Sequence, residues 1–287
     1  MPDYAFRLVN VFARPREPFS GNPLCVFEAA TGLDEGTMQA LALQFNLSET
    51  SFVFPSDRAD ARVRIFTPSF ELPFAGHPTL GTAHVLRALL AESGKNTDNL
   101  TLDLKAGLIP VRAQGDRWTL RANPPKTRPA QATRDQLAAM LGLETADIAD
   151  PALWVDTGTE QLIVPLTTVA AVNRCKPTAE LLQRHATVQP GRYLAYVFAH
   201  SAPHHVHARM FFSKGSSVIE DPATGSACAN LGGYLVQTGA ATPIVRSIEQ
   251  GSHVGRPCEL RLEVDAQQQS LVSGLVTELA RGSVRLP

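Results

Sequence analysis

Cysteine is scarce in this chain. The four residues, Cys25, Cys175, Cys228 and Cys258, are scattered over 287 positions. That is too few and too dispersed for a disulfide framework, and the absence of any C-x-x-C pair argues against structural zinc. Charge of either sign is not in excess: 26 Lys and Arg against 27 Asp and Glu leave a net charge of −1. Without a basic run there is nothing to hold a phosphate backbone, so no nucleic-acid partner is expected. Long apolar runs are also missing, and no window reaches the roughly 18 residues that span a bilayer. The first 19 residues carry an early Asp3 and an apolar stretch interrupted by arginine, unlike the continuous 7–15-residue apolar core of about that length in a signal peptide. A cytosolic protein without a membrane partner is expected. No G-x-G-x-x-G fingerprint or Walker loop occurs, so a nucleotide is not indicated.

What remains is globular: 44% apolar residues with 20 Gly and 21 Pro, enough chain for one large domain or two of about 120–150 residues. Strands are expected at 6–12, 24–27, 49–54 and 61–66, with a helix over 33–45 ending at Asn46. Residues 78–90 read as a helix buried on most faces, with Pro at its first turn and small or apolar residues nearly all round. Short strands follow at 101–104, 108–112 and 118–122. Residues 123–129 hold three prolines and form the best linker candidate. Beyond it, helices are expected at 134–141 and 178–185 and strands at 162–166, 193–199 and 206–212. A second helix of small residues runs over 226–237 and ends at Gly239.

The two buried-type helices suggest a repeat. The block beginning Ala75-Gly76-His77-Pro78 overlays Pro222-Ala223-Thr224-Gly225 at an offset of 147 (222 − 75), each block following a strand and a short irregular stretch with acidic residues. Two halves of like architecture, each a central helix wrapped by sheet, fit this better than a doubly wound parallel sheet.

Both helices start in a loop bearing Gly and Pro, where free N–H groups and the helix dipole suit an anion. Two such starts could hold a carboxylate in an interdomain crevice; they could equally be ordinary caps. His77 stands just inside the first loop, and Asp221, beside Glu220, just before the second. An Asp there is either a cap or a functional group. Glu49 is a carboxylate amid apolar neighbours at a helix-to-strand turn. If the turn is buried, desolvation raises its pKa toward neutrality, which suits a group that both takes and returns a proton; if not, it is a surface residue. His204, His205 and His207 cluster on one strand, but no carboxylate or cysteine at suitable spacing joins them, so a polar strand face is preferred over a metal site. Cys228 reads as a small buried thiol.

Five motifs occur in order: Gly21-Asn22-Pro23; Ser48-Glu49-Thr50-Ser51-Phe52-Val53; Phe66-Thr67-Pro68 with Glu71-Leu72-Pro73-Phe74-Ala75-Gly76-His77-Pro78-Thr79; Glu220-Asp221-Pro222-Ala223-Thr224-Gly225-Ser226-Ala227; and Gln250-Gly251 with Gly255-Arg256-Pro257. Over nearly its whole length the chain resembles the PhzF-like phenazine-biosynthesis family, which has the diaminopimelate-epimerase fold. The resemblance implies an α+β protein of two pseudo-symmetric halves, each a barrel-like mixed sheet around a central helix. Residues 1–122 with a returning C-terminal strand at 277–287 would form one half and 129–276 the other, with the active site in the cleft. It implies Glu49 as the acid/base, His77 and Asp221 as assistants in proton transfer, and Gly76, Gly225 and Ser226 as the grip on the substrate carboxylate. Asn22 and Gln250 lie in motifs near the cleft. The implied reaction is isomerisation of trans-2,3-dihydro-3-hydroxyanthranilate with no cofactor and no metal, in a homodimer whose only other partner is that small acid. Racemases of this fold use a cysteine at each helix start; Ala75 and Pro222 stand at those positions here, which favours a proton shift by one carboxylate over inversion between two thiols. An epimerase of another amino or hydroxy acid, a non-catalytic carboxylate-binding protein and, more remotely, a metal-dependent hydrolase are the competing readings.

Overall fold

The computed structural model describes residues 1–214 and 216–286. The chain divides into two compact units, one comprising Met1–Arg121 with the segment from Ser273 onward, the other Ala122–Val272.

In the first unit the chain runs β1 (Asp3–Ala13), β2 (Asn22–Phe27), α1 (Glu35–Phe45), β3 (Glu49–Phe54), β4 (Ala61–Phe66), β5 (Glu71–Leu72), α2 (Gly76–Glu92), β6 (Asn99–Leu104), β7 (Gly107–Gln114) and β8 (Arg117–Arg121). Helix α1 begins where Asp34 accepts a hydrogen bond from the Thr37 N–H at 2.7 Å and ends at Asn46 in the left-handed region, the cap the sequence suggests. β1 pairs with β2, β2 with β3, β3 with β4, β4 with β6, β6 with β7 and β7 with β8. The C-terminal strand, Ser270–Arg285, pairs with both β1 and β8 and so closes a ring of eight strands. Closure pairs each of these eight strands on both sides.

Helix α2 fills this barrel, touching β1, β2, β3, β6 and β8. Its glycine at 81 lies so close to the wall that a Cβ there would stand 2.6 Å from Leu24 and 2.9 Å from Val11. The wall is buried on both faces: Leu24 turns in toward α2, while Cys25 and Phe27 join Phe52 and Phe66 in an outer core beneath α1. That is why β2 reads as an unbroken apolar run rather than an alternation.

The second unit holds β9 (Lys126–Pro129), α3 (Arg134–Leu141), β10 (Leu153–Asp156), β11 (Glu160–Pro165), α4 (Val169–Arg174), α5 (Ala179–His185), β12 (Thr187–Gln189), β13 (Arg192–Ala202), β14 (His205–Lys214), β15 (Ser217–Asp221), α6 (Gly225–Gln237), β16 (Ile244–Gln250) and β17 (Cys258–Val264). The C-terminal strand is β18. Its sheet runs β9-β10-β11-β13-β14-β16-β17, with β12 and β15 pairing beside β13 and β14. Helix α6 touches β9, β10 and β11 as well as β17, so both ends of the run curl onto it. Helices α3, α4 and α5 supply residues to a separate outer core around Trp154, Leu162 and Phe211.

The two units share a topology. β2 and β3 are parallel across α1, as β11 and β13 are across α4 and α5. β4 and β6 are parallel across α2, as β14 and β16 are across α6. A strand antiparallel to the first of each pair follows it, β5 after β4 and β15 after β14. The repeat is real, but its register differs from the expected one: Gly76 opens α2 and Gly225 opens α6, an offset of 149 (225 − 76) rather than 147. Thr224, not Pro222, therefore matches Ala75. Two further expectations are corrected. The Pro-rich stretch is not wholly a linker, since β9 pairs with β10 and ends at Pro129, a site on the sheet margin where a missing N–H is tolerated. The acidic stretch before the second helix is not irregular, since Glu220 and Asp221 belong to β15, paired with Phe211 and Met210.

Candidate active site

In the first unit, β3 begins at Glu49, level with Leu24 on parallel β2, and α2 begins two residues before Pro78. This brings Glu49 Oε2 to 3.4 Å from His77 Nε2, with the carboxylate side chain 17% and the imidazole 7% exposed. Burial dominates the imidazole. Desolvation pushes its pKa down to about 3, opposed only by a hydrogen bond to the Pro23 backbone. Proline has no N–H, so the ring donates to the Pro23 carbonyl. Nε2 has no hydrogen-bond partner, so the donor is Nδ1 and the lone pair of Nε2 faces the Glu49 carboxyl. The pair is a carboxyl group beside a neutral base, sheltered from bulk water. Asn22, fully buried at the start of β2, is the neighbour of Pro23 on this strand.

The second unit offers a different set. On β15, Glu220 and Asp221 point to opposite faces. Glu220 is structural: its Oε2 accepts from Arg209 Nε and NH2 at 3.2 and 2.7 Å, while Arg209 NH1 donates to the carbonyls of Val172, Asn173 and Cys175. Asp221 Oδ2 accepts the Thr224 hydroxyl at 2.6 Å. Thr224 occupies the cap position of α6 and spends its hydroxyl on Asp221 rather than on the helix. Gln250 Nε2 donates to the Asp221 carbonyl at 2.8 Å and to Thr224 Oγ1 at 3.1 Å, so Gln250 steadies the loop. Gly251 follows at φ 84°, and a Cβ there would strike the carbonyl oxygens of Pro222 and Arg256. Only glycine lets this turn lie against the Asp221 loop.

Among the described residues, α2 and α6 differ from the other α-helices at their starts. Helices α1, α3, α4 and α5 are capped by the side chains of Asp34, Thr133, Thr168 and Thr178. Neither Ala75 nor Thr224 makes such a bond, and neither helix has an acidic residue in its first turn. The N–H groups at Gly76 and Gly225 thus meet no side-chain cap and present a positive end to an anion. Ser226, half-buried in the first turn of α6, accepts a hydrogen bond from Gln161 Nε2 at 3.0 Å. Gln161 and its partner Asn230 escaped the sequence reading. The available signal was a lone Asn inside a helix otherwise made of small and apolar residues, since a buried amide demands partners.

The other sequence candidates separate from these groups. His207 Nε2 lies 2.8 Å from Asn173 Oδ1 and His253 Nε2 3.1 Å from the same atom, whereas His204 faces Arg246. Among the described residues no group of three or more His, Cys, Asp or Glu side chains is placed to hold a metal ion. All four cysteines are buried and none is in a disulfide. Burial raises the Cys25 and Cys228 thiols and pushes Cys175 up to about 12, so none of these three serves as a thiolate base.

A helix-centred barrel in each unit, with repeated topology, is the diaminopimelate-epimerase type of fold, and this is an isomerase of that type. The chain belongs to the phenazine biosynthesis-like protein family, whose model matches residues 9–281. It is 39% identical over 287 residues to an uncharacterized isomerase of Pasteurella multocida, covering 99% of this chain and 95% of the relative. It is 34% identical to the trans-2,3-dihydro-3-hydroxyanthranilate isomerase of Pseudomonas aeruginosa, covering 98% of this chain and 99% of that one. The crystal structure of a PhzF-family phenazine biosynthesis protein from Bacillus anthracis superposes with a TM-score of 0.84 at 27% identity, covering both chains completely.

Proposed function

We propose that the protein moves a proton within a small cyclic or unsaturated carboxylic acid of the trans-2,3-dihydro-3-hydroxyanthranilate kind, with Glu49 as proton carrier and no cofactor. The observation that carries this is the sheltered pairing of Glu49 with a neutral His77. A ring carbon loses its proton to the Glu49 carboxylate, the C–H electron pair moves through the adjoining double bonds, and a second ring carbon takes a proton from the Glu49 carboxyl. Composition and oxidation level are unchanged, so no redox partner or metal is required by the balance. His77 Nε2 accepts a hydrogen bond from the carboxyl form of Glu49 while the proton is in transit.

The substrate carboxylate is held by the Ser226 hydroxyl and the first-turn N–H groups at Gly225 and Gly76, with Asp221 positioned by Thr224 and Gln250 to assist proton transfer. The aligned helix starts, Ala75 and Thr224, carry no thiol, which supports a one-carboxylate shift over two-base epimerisation. Incubation with trans-2,3-dihydro-3-hydroxyanthranilate in D2O, followed by proton NMR and mass spectrometry, is expected to give an isomer carrying deuterium at the reprotonated carbon. An unchanged, undeuterated substrate removes this acid from consideration.

A further inference from the structure

Inside the second unit a chain of amides runs through a region otherwise packed with apolar side chains. Asn230, in α6, is fully buried, and Gln161, on β11, is 1% exposed. Asn230 Oδ1 accepts both the backbone N–H of Thr157 at 2.9 Å and the Thr157 hydroxyl at 2.7 Å. Its Nδ2 donates to the Thr159 carbonyl at 2.9 Å and to Gln161 Oε1 at 2.8 Å. Gln161 Nε2 then donates to Ser226 Oγ at 3.0 Å.

The sense of this chain is not free. A backbone N–H can only donate and a backbone carbonyl can only accept, so Thr157 and Thr159 between them fix which way round the Asn230 amide lies. Asn230 in turn fixes Gln161, whose oxygen must face the Asn230 NH2 and whose NH2 must face Ser226. At the end of the chain Ser226 Oγ is an acceptor toward Gln161, and its single hydrogen is left to donate elsewhere.

We propose that Gln161, seated by Asn230, is a positioning residue that fixes the Ser226 hydroxyl as a hydrogen-bond donor toward the substrate carboxylate. This rests on the carboxylate assignment made above and extends it to a pair of buried residues that touch no substrate. A carboxylate accepts and cannot donate, so a hydroxyl held in this sense matches it without reorganisation, and fully satisfied amide networks of this kind specify one arrangement of a core.

The test is a double-mutant cycle with trans-2,3-dihydro-3-hydroxyanthranilate as substrate and anthranilate as a non-reacting ligand in calorimetry. Gln161→Glu keeps the shape and the bond from Asn230 but presents an acceptor to Ser226, turning its hydrogen away from the ligand. It is expected to raise KM and the anthranilate Kd about 10–100-fold, the loss of one hydrogen bond to a charged group, with kcat changed much less. Gln161→Met, which introduces no buried charge, is expected to give a smaller loss of the same kind. Ser226→Ala alone is expected to weaken binding about as much as Gln161→Glu, and adding either Gln161 change to it is expected to cost less than a factor of about two more. Losses that multiply in the double variants, or a Gln161 effect confined to kcat or thermal stability, overturn the positioning role and leave the carboxylate assignment standing. Unchanged KM and Kd in Ser226→Ala, or no binding of either acid by the unaltered protein, overturn the assignment and the positioning role together.

Discussion

Burial gives His77 a fixed tautomer and a fixed charge. An imidazole whose pKa falls to about 3 is neutral at pH 7, so its Nε2 is an acceptor beside Glu49. The same shift links folding to pH. The native side chain titrates near 3 and the unfolded one near 6.5, so between these values the unfolded chain binds the extra proton and stability falls as the pH falls. The slope contributed by this residue approaches about 1.4 kcal/mol per pH unit within that window. Urea unfolding at pH 7 and pH 5 is expected to show the unaltered protein losing up to about 2 kcal/mol more than His77→Gln over that interval; equal losses would refute the buried neutral histidine. At this scale the sequence was informative where a residue type is odd in its surroundings, as Glu49 is among apolar neighbours. It was silent about which neighbour each side chain meets. Glu220 and Asp221 look alike in sequence, and only the strand alternation of β15 sends one to Arg209 and the other to Thr224.

Elements locate these side chains through their ends. Glu49 opens β3, His77 lies in the first turn of α2, Asp221 closes β15 and Gln250 closes β16. Helices other than the six-residue α4 were legible because caps and periodicity are local: residues 134–141 were placed as the structure has them, and Asn46 and Gly239 end their helices in the left-handed region. The short strands β9, β12 and β15 were not: β9 is held by β10, some way along the chain, β9 and β15 carry charged or proline residues, and β12 is only three residues long. The glycine after β16 shows how an element end carries function. Gly251→Ala places a side chain at φ 84° against the Pro222 carbonyl, and is expected to cost about 1–3 kcal/mol and to lower kcat/KM at least about tenfold by displacing Asp221. Gly255→Ala, also at positive φ but with open space around it, is the control and is expected to leave kcat/KM within a factor of about two. Thermal unfolding together with isomerase assays of both variants decides the matter, and equal activities for the two would sever Gly251 from the site.

For the whole molecule, the informative feature is a repeat in which like scaffolds carry unlike chemistry. The first unit sets a carboxyl and a neutral imidazole at the start of its helix, whereas the second sets a hydroxyl, an amide chain and a braced aspartate. The repeat was visible in sequence through two helices of small residues behind Gly- and Pro-bearing loops, but its register came out two residues short because a handful of identities cannot locate a gap. The most direct test is the rate at which Glu49→Gln moves solvent deuterium into trans-2,3-dihydro-3-hydroxyanthranilate. The expected result is a fall in kcat of about 100- to 10,000-fold, the usual worth of a positioned general acid–base, with KM within a factor of about three. Deuterium incorporation at the rate of the unaltered protein would contradict Glu49 as the proton carrier.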